Sequence, residues 1–142
     1  MSDPSATLPA MPLPESPPPS EPAVDSGPVR TFVDPAITPM AATLGELRAR
    51  IDALDAEIVA RLAERGRLVR DATRFKRDPH QVNAEARQRA VFARVRRLAE
   101  DAAPDLPGLA DTVEAGYRAL VAAFVAGEQR LFAETVPRDA RP

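Results

Sequence analysis

Apolar residues recur at helical spacing from Leu44 to Lys76. Leu44, Leu47, Ile51, Leu54, Ile58, Leu62, Val69 and Ala72 share one stripe of a long amphipathic helix. Thr43-x-x-Glu46 is a capping-box pattern that opens it, and Asp78-Pro79 is placed to stop it near Arg77. At about 1.5 Å per residue such a helix is roughly 50 Å long, longer than the body a small chain can lay beside it. A second copy covering the overhanging stripe is the economical remedy, so the pattern predicts an intertwined homodimer. Residues 78–82 read as a short polar loop and Asn83 as the cap of a second helix ending near Ala102, with Val91, Val95, Leu98 and Ala102 on its buried line. Beyond Pro104 and Pro107 a third helix runs from Leu109 to about Phe132, with Val113, Tyr117, Leu120, Val121 and Phe124 on its stripe. No strand pattern, internal repeat or glycine-rich phosphate loop competes with this reading. The expected class is all-α: a three-helix chain with a long first helix.

Charges intrude on these stripes. At roughly 100° per residue, Arg65 and Lys76 fall within about 40° of the line through Ile58, Leu62, Val69 and Ala72, so both point inward. Arg87 lies close to the buried line of the second helix, and Glu128 takes the next position on the stripe of the third. Isolated buried charge is costly, so inward cations need an anionic partner. Three cations against one carboxylate favour a bound anionic ligand. The competing reading is a purely structural dimerisation module, in which Arg65, Lys76 and Arg87 pair with Glu128 and with carboxylates of a partner helix.

Composition narrows the choice. Eleven of the 16 prolines lie in the first 40 residues, which contain runs such as Pro17-Pro18-Pro19. A disordered proline-rich tail is expected over residues 1–42 and a short disordered tail over 135–142, leaving one folded domain at 43–134. The first 40 residues carry a net charge of −4 and the rest +2, against −2 for the whole 142-residue chain. Basic residues of the folded part are interleaved with acids and aromatics are few, so no nucleic-acid surface is expected. No basic-then-apolar leader and no run long enough to span a bilayer is visible, so no membrane association is expected and a cytoplasmic protein is. The chain has no cysteine, one histidine, His80, and no serine beyond Ser26. Triads, Cys–His dyads and His or thiolate metal sites are therefore excluded, and no metal or cofactor is expected. What remains is a cluster of Arg and Lys against an apolar interior with one inward Glu. Such a site can grip a small multiply anionic molecule and stabilise developing negative charge without covalent chemistry.

The string Leu47-Arg48, Ile51-Asp52, Asp55, Ala63-Glu64-Arg65, Phe75-Lys76, Arg87, Tyr117-Arg118, Phe124 and Glu128 resembles the all-helical chorismate mutases over residues 43–134. The resemblance implies an intertwined dimer with two active sites, in which chorismate rearranges to prephenate with no cofactor. It also implies roles by position. Arg65 and Arg48 hold the two substrate carboxylates, Arg48 reaching into the other subunit's site. Lys76 binds a carboxylate and the ether oxygen, Arg87 lines the pocket, and Glu128 stands where a Gln or Glu donates a second hydrogen bond to that oxygen. Arg48 sits about 80° off the stripe of the first helix, a flank position suited to a residue delivered to a partner. Gln129 is the alternative donor, about 100° off the stripe.

Two positions depart from the family pattern. The acid often found directly after the pocket arginine, contacting the ring hydroxyl, is here Gln88, and an Asp common a few residues earlier is replaced near Ala84. In these respects, and in Ala72-Thr73-Arg74-Phe75-Lys76, the chain is similar to the isochorismate pyruvate lyases on the same fold. The resemblance therefore leaves three activities: chorismate mutase first, then isochorismate pyruvate lyase or a mutase for an amino-substituted chorismate. The first serves aromatic amino-acid synthesis.

Overall fold

The computed structural model describes residues 20–139. Residues 1–19 and 140–142, and with them most of the proline-rich run, lie outside the described residues. Residues 20–43 carry no helix or strand, and nearly all are exposed. The Gly45 N–H donates to Val24 O at 2.9 Å, and Arg48 pairs loosely with Glu21 at 3.5 Å.

Helix α1 spans Leu44–Ala72 and opens as its sequence predicts: Thr43 accepts from the Glu46 N–H while Glu46 reaches back to the Thr43 N–H. It ends four residues earlier than the apolar periodicity suggests. Thr73–Phe75 tighten into a 3-10 turn, with the Thr73 hydroxyl bonded to Arg70 O at 2.7 Å, and Lys76 is extended. Asp78, before Pro79, is extended as well (φ −149, ψ 166). Lys76 thus leaves the helix before it turns its side chain inward.

The expected polar loop at 78–82 is instead a short helix, α2, at Pro79–Asn83. Asp78 caps it by accepting from the Gln81 N–H, and Pro79 occupies its first turn. Its Val82 is the most deeply buried of the core residues described, 1% exposed. Asn83 ends α2 and does not cap the next helix. The link is Ala84, in the left-handed region at φ 46, ψ 53, after which α3 runs Glu85–Ala102.

Helix α3 buries Phe92, Val95 and Ala99, a line one residue round from the predicted Val91–Val95–Leu98–Ala102. Leu98 is half exposed. Phe92, the bulkiest apolar side chain of α3, settles against α4, and Arg118 of α4 lies 4.5 Å over its ring. Helix α4 spans Leu109–Asp139, so it runs on past Phe132 with Pro137 near its end. It buries Val121 and Glu128 on the predicted stripe. A salt-bridge cluster ties the far end of α3 to the start of α4. Arg96 meets Asp111 at 2.7 Å, Glu114 at 2.9 Å and Glu100 at 3.4 Å, and Arg118 meets Glu114 at 2.9 Å. Hydrogen bonds from Arg118 and then Arg96 hold the Glu114 carboxyl below its ordinary range.

The core therefore lies among α2, α3 and α4. Helix α1 buries none of its residues. Ile51, Leu54 and Ile58, the middle of its apolar stripe, are each more than half exposed in the single chain. Its contact with α4 is made further on, where Gly66 backs onto the Phe124 ring: a Cβ at Gly66 would stand 3.0 Å from Phe124 Cε1. No helix among the described residues is long and apolar enough to cross a membrane.

Candidate functional site

A cavity of about 330 Å³ opens where the end of α1, the α2–α3 junction and the middle of α4 converge. That is within the size range of small-molecule pockets. Its apolar wall includes Leu68, Val82, Val91, Val121 and Phe124, and its polar groups are Arg65, Lys76, Asn83, Arg87, Gln88 and Glu128. Five of the six residues singled out as a site thus converge here: Arg65, Lys76, Arg87, Gln88 and Glu128.

Each arrives by a different local device. Arg65 comes directly from the α1 stripe, its guanidinium 5.4 Å from the Phe124 ring centre and 5.8 Å from that of Tyr117. The two rings hold the charge by cation–π attraction without neutralising it. Lys76 comes from the extended residue after the 3-10 turn and places Nζ 3.0 Å from Glu128 Oε1. This pair is largely dry: the side chains are 19% and 7% exposed. Arg87 and Gln88 sit in the first turn of α3, aimed by the left-handed turn at Ala84. Gln88 Nε2 donates to Asn83 O at 2.6 Å and to Asn83 Oδ1 at 3.2 Å.

Among the described residues neither Arg65 nor Arg87 has a carboxylate within ion-pair distance; only Lys76 is paired. The cavity therefore presents unneutralised positive charge over an apolar floor. Such an arrangement binds anions and stabilises negative charge that develops during a reaction.

Gln129 does not face the cavity. Its Nε2 donates to Pro79 O at 3.0 Å, tying α2 to α4, which leaves Glu128 as the side chain turned to Lys76. Arg48 lies seventeen residues before Arg65 on α1, about 26 Å away along the helix axis, and is exposed. It is not part of its own chain's cavity. Asn83 was expected only as a helix cap. Its contact with Gln88 spans five residues and depends on the left-handed backbone at Ala84, which leaves no mark in an alanine-containing sequence.

Fold and cavity together define an all-helical protein with one cavity lined by Arg65, Lys76 and Arg87 over apolar side chains. The chain belongs to the type II chorismate mutases: the model of that family matches residues 47–129, more than half of the chain. The family is one of isomerases, and the match supports chorismate mutase function. It spans α1 from Leu47 through Gln129 of α4 and so takes in every residue of the cavity. Comparison with the curated proteins and with the solved structures finds no match.

Proposed function

We propose that this protein rearranges chorismate to prephenate in the cavity between α1, α3 and α4, working as a homodimer with two such sites. The observation that carries the reading is the pairing of a buried Lys76–Glu128 couple with two unpaired guanidiniums, Arg65 and Arg87, around one apolar cavity. In the rearrangement a carbon–oxygen bond breaks as a carbon–carbon bond forms, and negative charge gathers on the ether oxygen. The reaction consumes no proton and no electron, so a site without nucleophile or metal suffices.

Arg65 holds one substrate carboxylate. Lys76 faces the ether oxygen and stabilises charge there, the task for which a preorganised cation is most effective. Arg87 lines the ring side. Glu128, protonated, donates a second hydrogen bond to the ether oxygen; ionised it can only accept. Arg48 of the second copy supplies the other carboxylate contact. The dimer rests on the exposed stripe of α1: Ile51, Leu54 and Ile58 are left in water by one chain alone, and a second α1 laid across them removes that surface.

The same handles suit isochorismate, and the amide at Gln88 in place of an acid is the feature that keeps isochorismate pyruvate lyase as the second reading. A dimerisation module without catalysis is disfavoured by the enzyme family and by the two guanidiniums that lack carboxylates. Incubating the purified protein separately with chorismate and with isochorismate, and identifying products, decides among them. Prephenate from chorismate supports the first reading. Pyruvate and salicylate from isochorismate alone would replace it with the second, and inertness toward both would leave the module. Light scattering at micromolar concentration checks the dimer, and a monomeric mass would refute it.

A further inference from the structure

The segment that leads into α1 doubles back on it. At Asp34-Pro35 the chain turns, with the Ala36 N–H donating to Asp34 Oδ1 and the Ile37 N–H to Asp34 O, each at 2.9 Å. Past the turn the chain enters α1 through Ala42, whose N–H donates to Glu46 Oε2 at 2.8 Å. Before the turn it lies against the same helix end. The Val24 carbonyl accepts from the Gly45 N–H at 2.9 Å, one of the first-turn donors that have no partner inside the helix. A side chain at residue 45 would crowd this contact, since a Cβ there would stand 3.1 Å from Val24 O. Val24 is 40% exposed, against 63% or more for Val29, Phe32, Val33, Ile37 and Met40, so it marks where the segment touches down.

That anchor decides what reaches Arg48. Gly45 and Arg48 are three residues apart and share a face of α1. Glu21 and Val24 are also three apart and run the opposite way, so a segment held at Gly45 carries Glu21 over Arg48. The two side chains meet at 3.5 Å. Among the described residues Glu21 is the one carboxylate within ion-pair distance of Arg48, and Asp52, one turn further along α1 at a spacing that commonly pairs, is passed over. Arg48 is also the guanidinium that the proposed function sends to a substrate carboxylate. The chain thus offers it a carboxylate of its own.

We infer that residues 21–24 are a tethered competitor, in which Glu21 occupies Arg48 and has to be displaced before Arg48 can take a substrate carboxylate. The inference rests on the proposed function and adds a control of affinity to it. The side chains of Arg48 and Glu21 are 48% and 88% exposed, and a pair of that kind is weak and screened by salt. The weakness suits the role. A strong pair would shut the site, whereas this one raises the substrate concentration needed by a few fold. Once substrate is bound Glu21 has left Arg48, in the ground state and the transition state alike, so it acts on KM and not on kcat.

The test measures kcat and KM for chorismate on the full-length wild type, Glu21→Gln, Arg48→Ala and the double variant, each at low salt and at about 1 M salt. E21Q should lower KM by between about 1.4-fold and about fivefold, the span of an exposed ion pair, with kcat unchanged. That gain should shrink toward nothing at high salt. With Arg48 replaced by alanine, the further change at Glu21 should leave kcat/KM where it was, because no guanidinium is there to release. An E21Q protein with the wild-type KM at low salt overturns the inference. So does an equal gain in the absence of Arg48, which would assign the effect to the charge of Glu21 acting on the substrate at a distance. R48A separates this from the larger reading: a large loss of kcat/KM in R48A with no effect of E21Q removes the competitor and keeps Arg48 in the site. Wild-type kcat/KM in R48A removes Arg48 from the site and the competitor with it, and a protein inert toward chorismate takes away both readings.

Discussion

Glu128 is the residue at which charge state and chemistry are most tightly coupled. Its carboxylate lies 3.0 Å from Lys76 Nζ, where Coulomb attraction at an effective dielectric of about 20 is about 5.5 kcal/mol before desolvation is subtracted. Desolvation of two ions in a site this dry consumes most of that. Glu128→Gln keeps the shape and an acceptor for Lys76 and removes one desolvated charge, so its stability should stay within about 1.5 kcal/mol of wild type. Lys76→Ala differs in kind, because it strands a carboxylate that is 7% exposed. It should cost about 3 kcal/mol, the low end for a broken buried pair, since the lysine side chain is itself one-fifth exposed. It should also lower turnover by about 100- to 1000-fold through loss of a cation at the site of developing charge.

Turnover separates the roles. If the side chain donates to the ether oxygen, E128Q should keep turnover within about tenfold of wild type, since an amide also donates, whereas Glu128→Leu, which offers no donor, should fall by about 100- to 1000-fold. The assay is the initial rate of chorismate loss for the three proteins. An inactive E128Q would refute the reasoning: Glu128 would then act as an anion, and its part would be to hold Lys76.

Arg48→Ala and Arg65→Ala should each be nearly inactive, yet mixing the two after subunit exchange should restore about one working site per heterodimer, because both substitutions then fall in the same site and leave the other whole; no recovery after verified exchange counts against a shared site. Ala84→Gly should raise stability by up to about 1 kcal/mol in thermal unfolding, since glycine removes the steric cost of φ 46 that outweighs its greater freedom in the unfolded chain. A lower midpoint would show that the turn is not strained. Glu114 is held below its ordinary range by Arg118 and Arg96, so its contribution is complete above the unfolded carboxylate value and is lost as pH falls through the lower folded one. Urea midpoints of the wild type should drop more steeply on acidification than those of Glu114→Gln, and equal slopes would remove Glu114 from the acid response. Deleting residues 1–39 should change turnover by less than about tenfold, equivalent to about 1.4 kcal/mol, because the tail residues described are nearly all exposed.

The sequence was most legible where one physical requirement governs a run of residues. Thr43 and Glu46 cap α1 because orphan backbone donors need an acceptor, and the α4 stripe brings Val121 and Glu128 to the inside as its spacing demands. Legibility failed where two requirements compete. Helix α3 presents Phe92, Val95 and Ala99 to α4 and, one residue round, Arg87 and Val91 to the cavity, so a single predicted line could not satisfy both. Lys76 reached the expected side by a different route. A continuous helix would have carried it there along the stripe, whereas the 3-10 turn and the extended residues before Pro79 deliver it from outside the helix. The α2 helix and the Asn83–Gln88 contact were hidden because both hinge on Ala84, a residue type that does not advertise a left-handed backbone.

The α1 stripe carries the remaining information, and it concerns two chains. In one chain Ile51, Leu54 and Ile58 are exposed, while Arg48, on the same helix, stands too far from its own cavity to serve it. In the proposed dimer one event answers both facts: laying a second α1 across the stripe buries the apolar residues and carries each Arg48 toward the other cavity. Stability and activity then share a cause and must share a concentration dependence. A charge placed at Leu54 should dissociate the chains, and it should abolish turnover although Leu54 lines no part of the cavity. Weakened binding of dicarboxylates in that variant should match the weakening seen in Arg48→Ala, because in both proteins the missing contact is the same guanidinium. A Leu54→Glu monomer that turned over chorismate at the wild-type rate would place the whole site within one chain and leave Arg48 without a role.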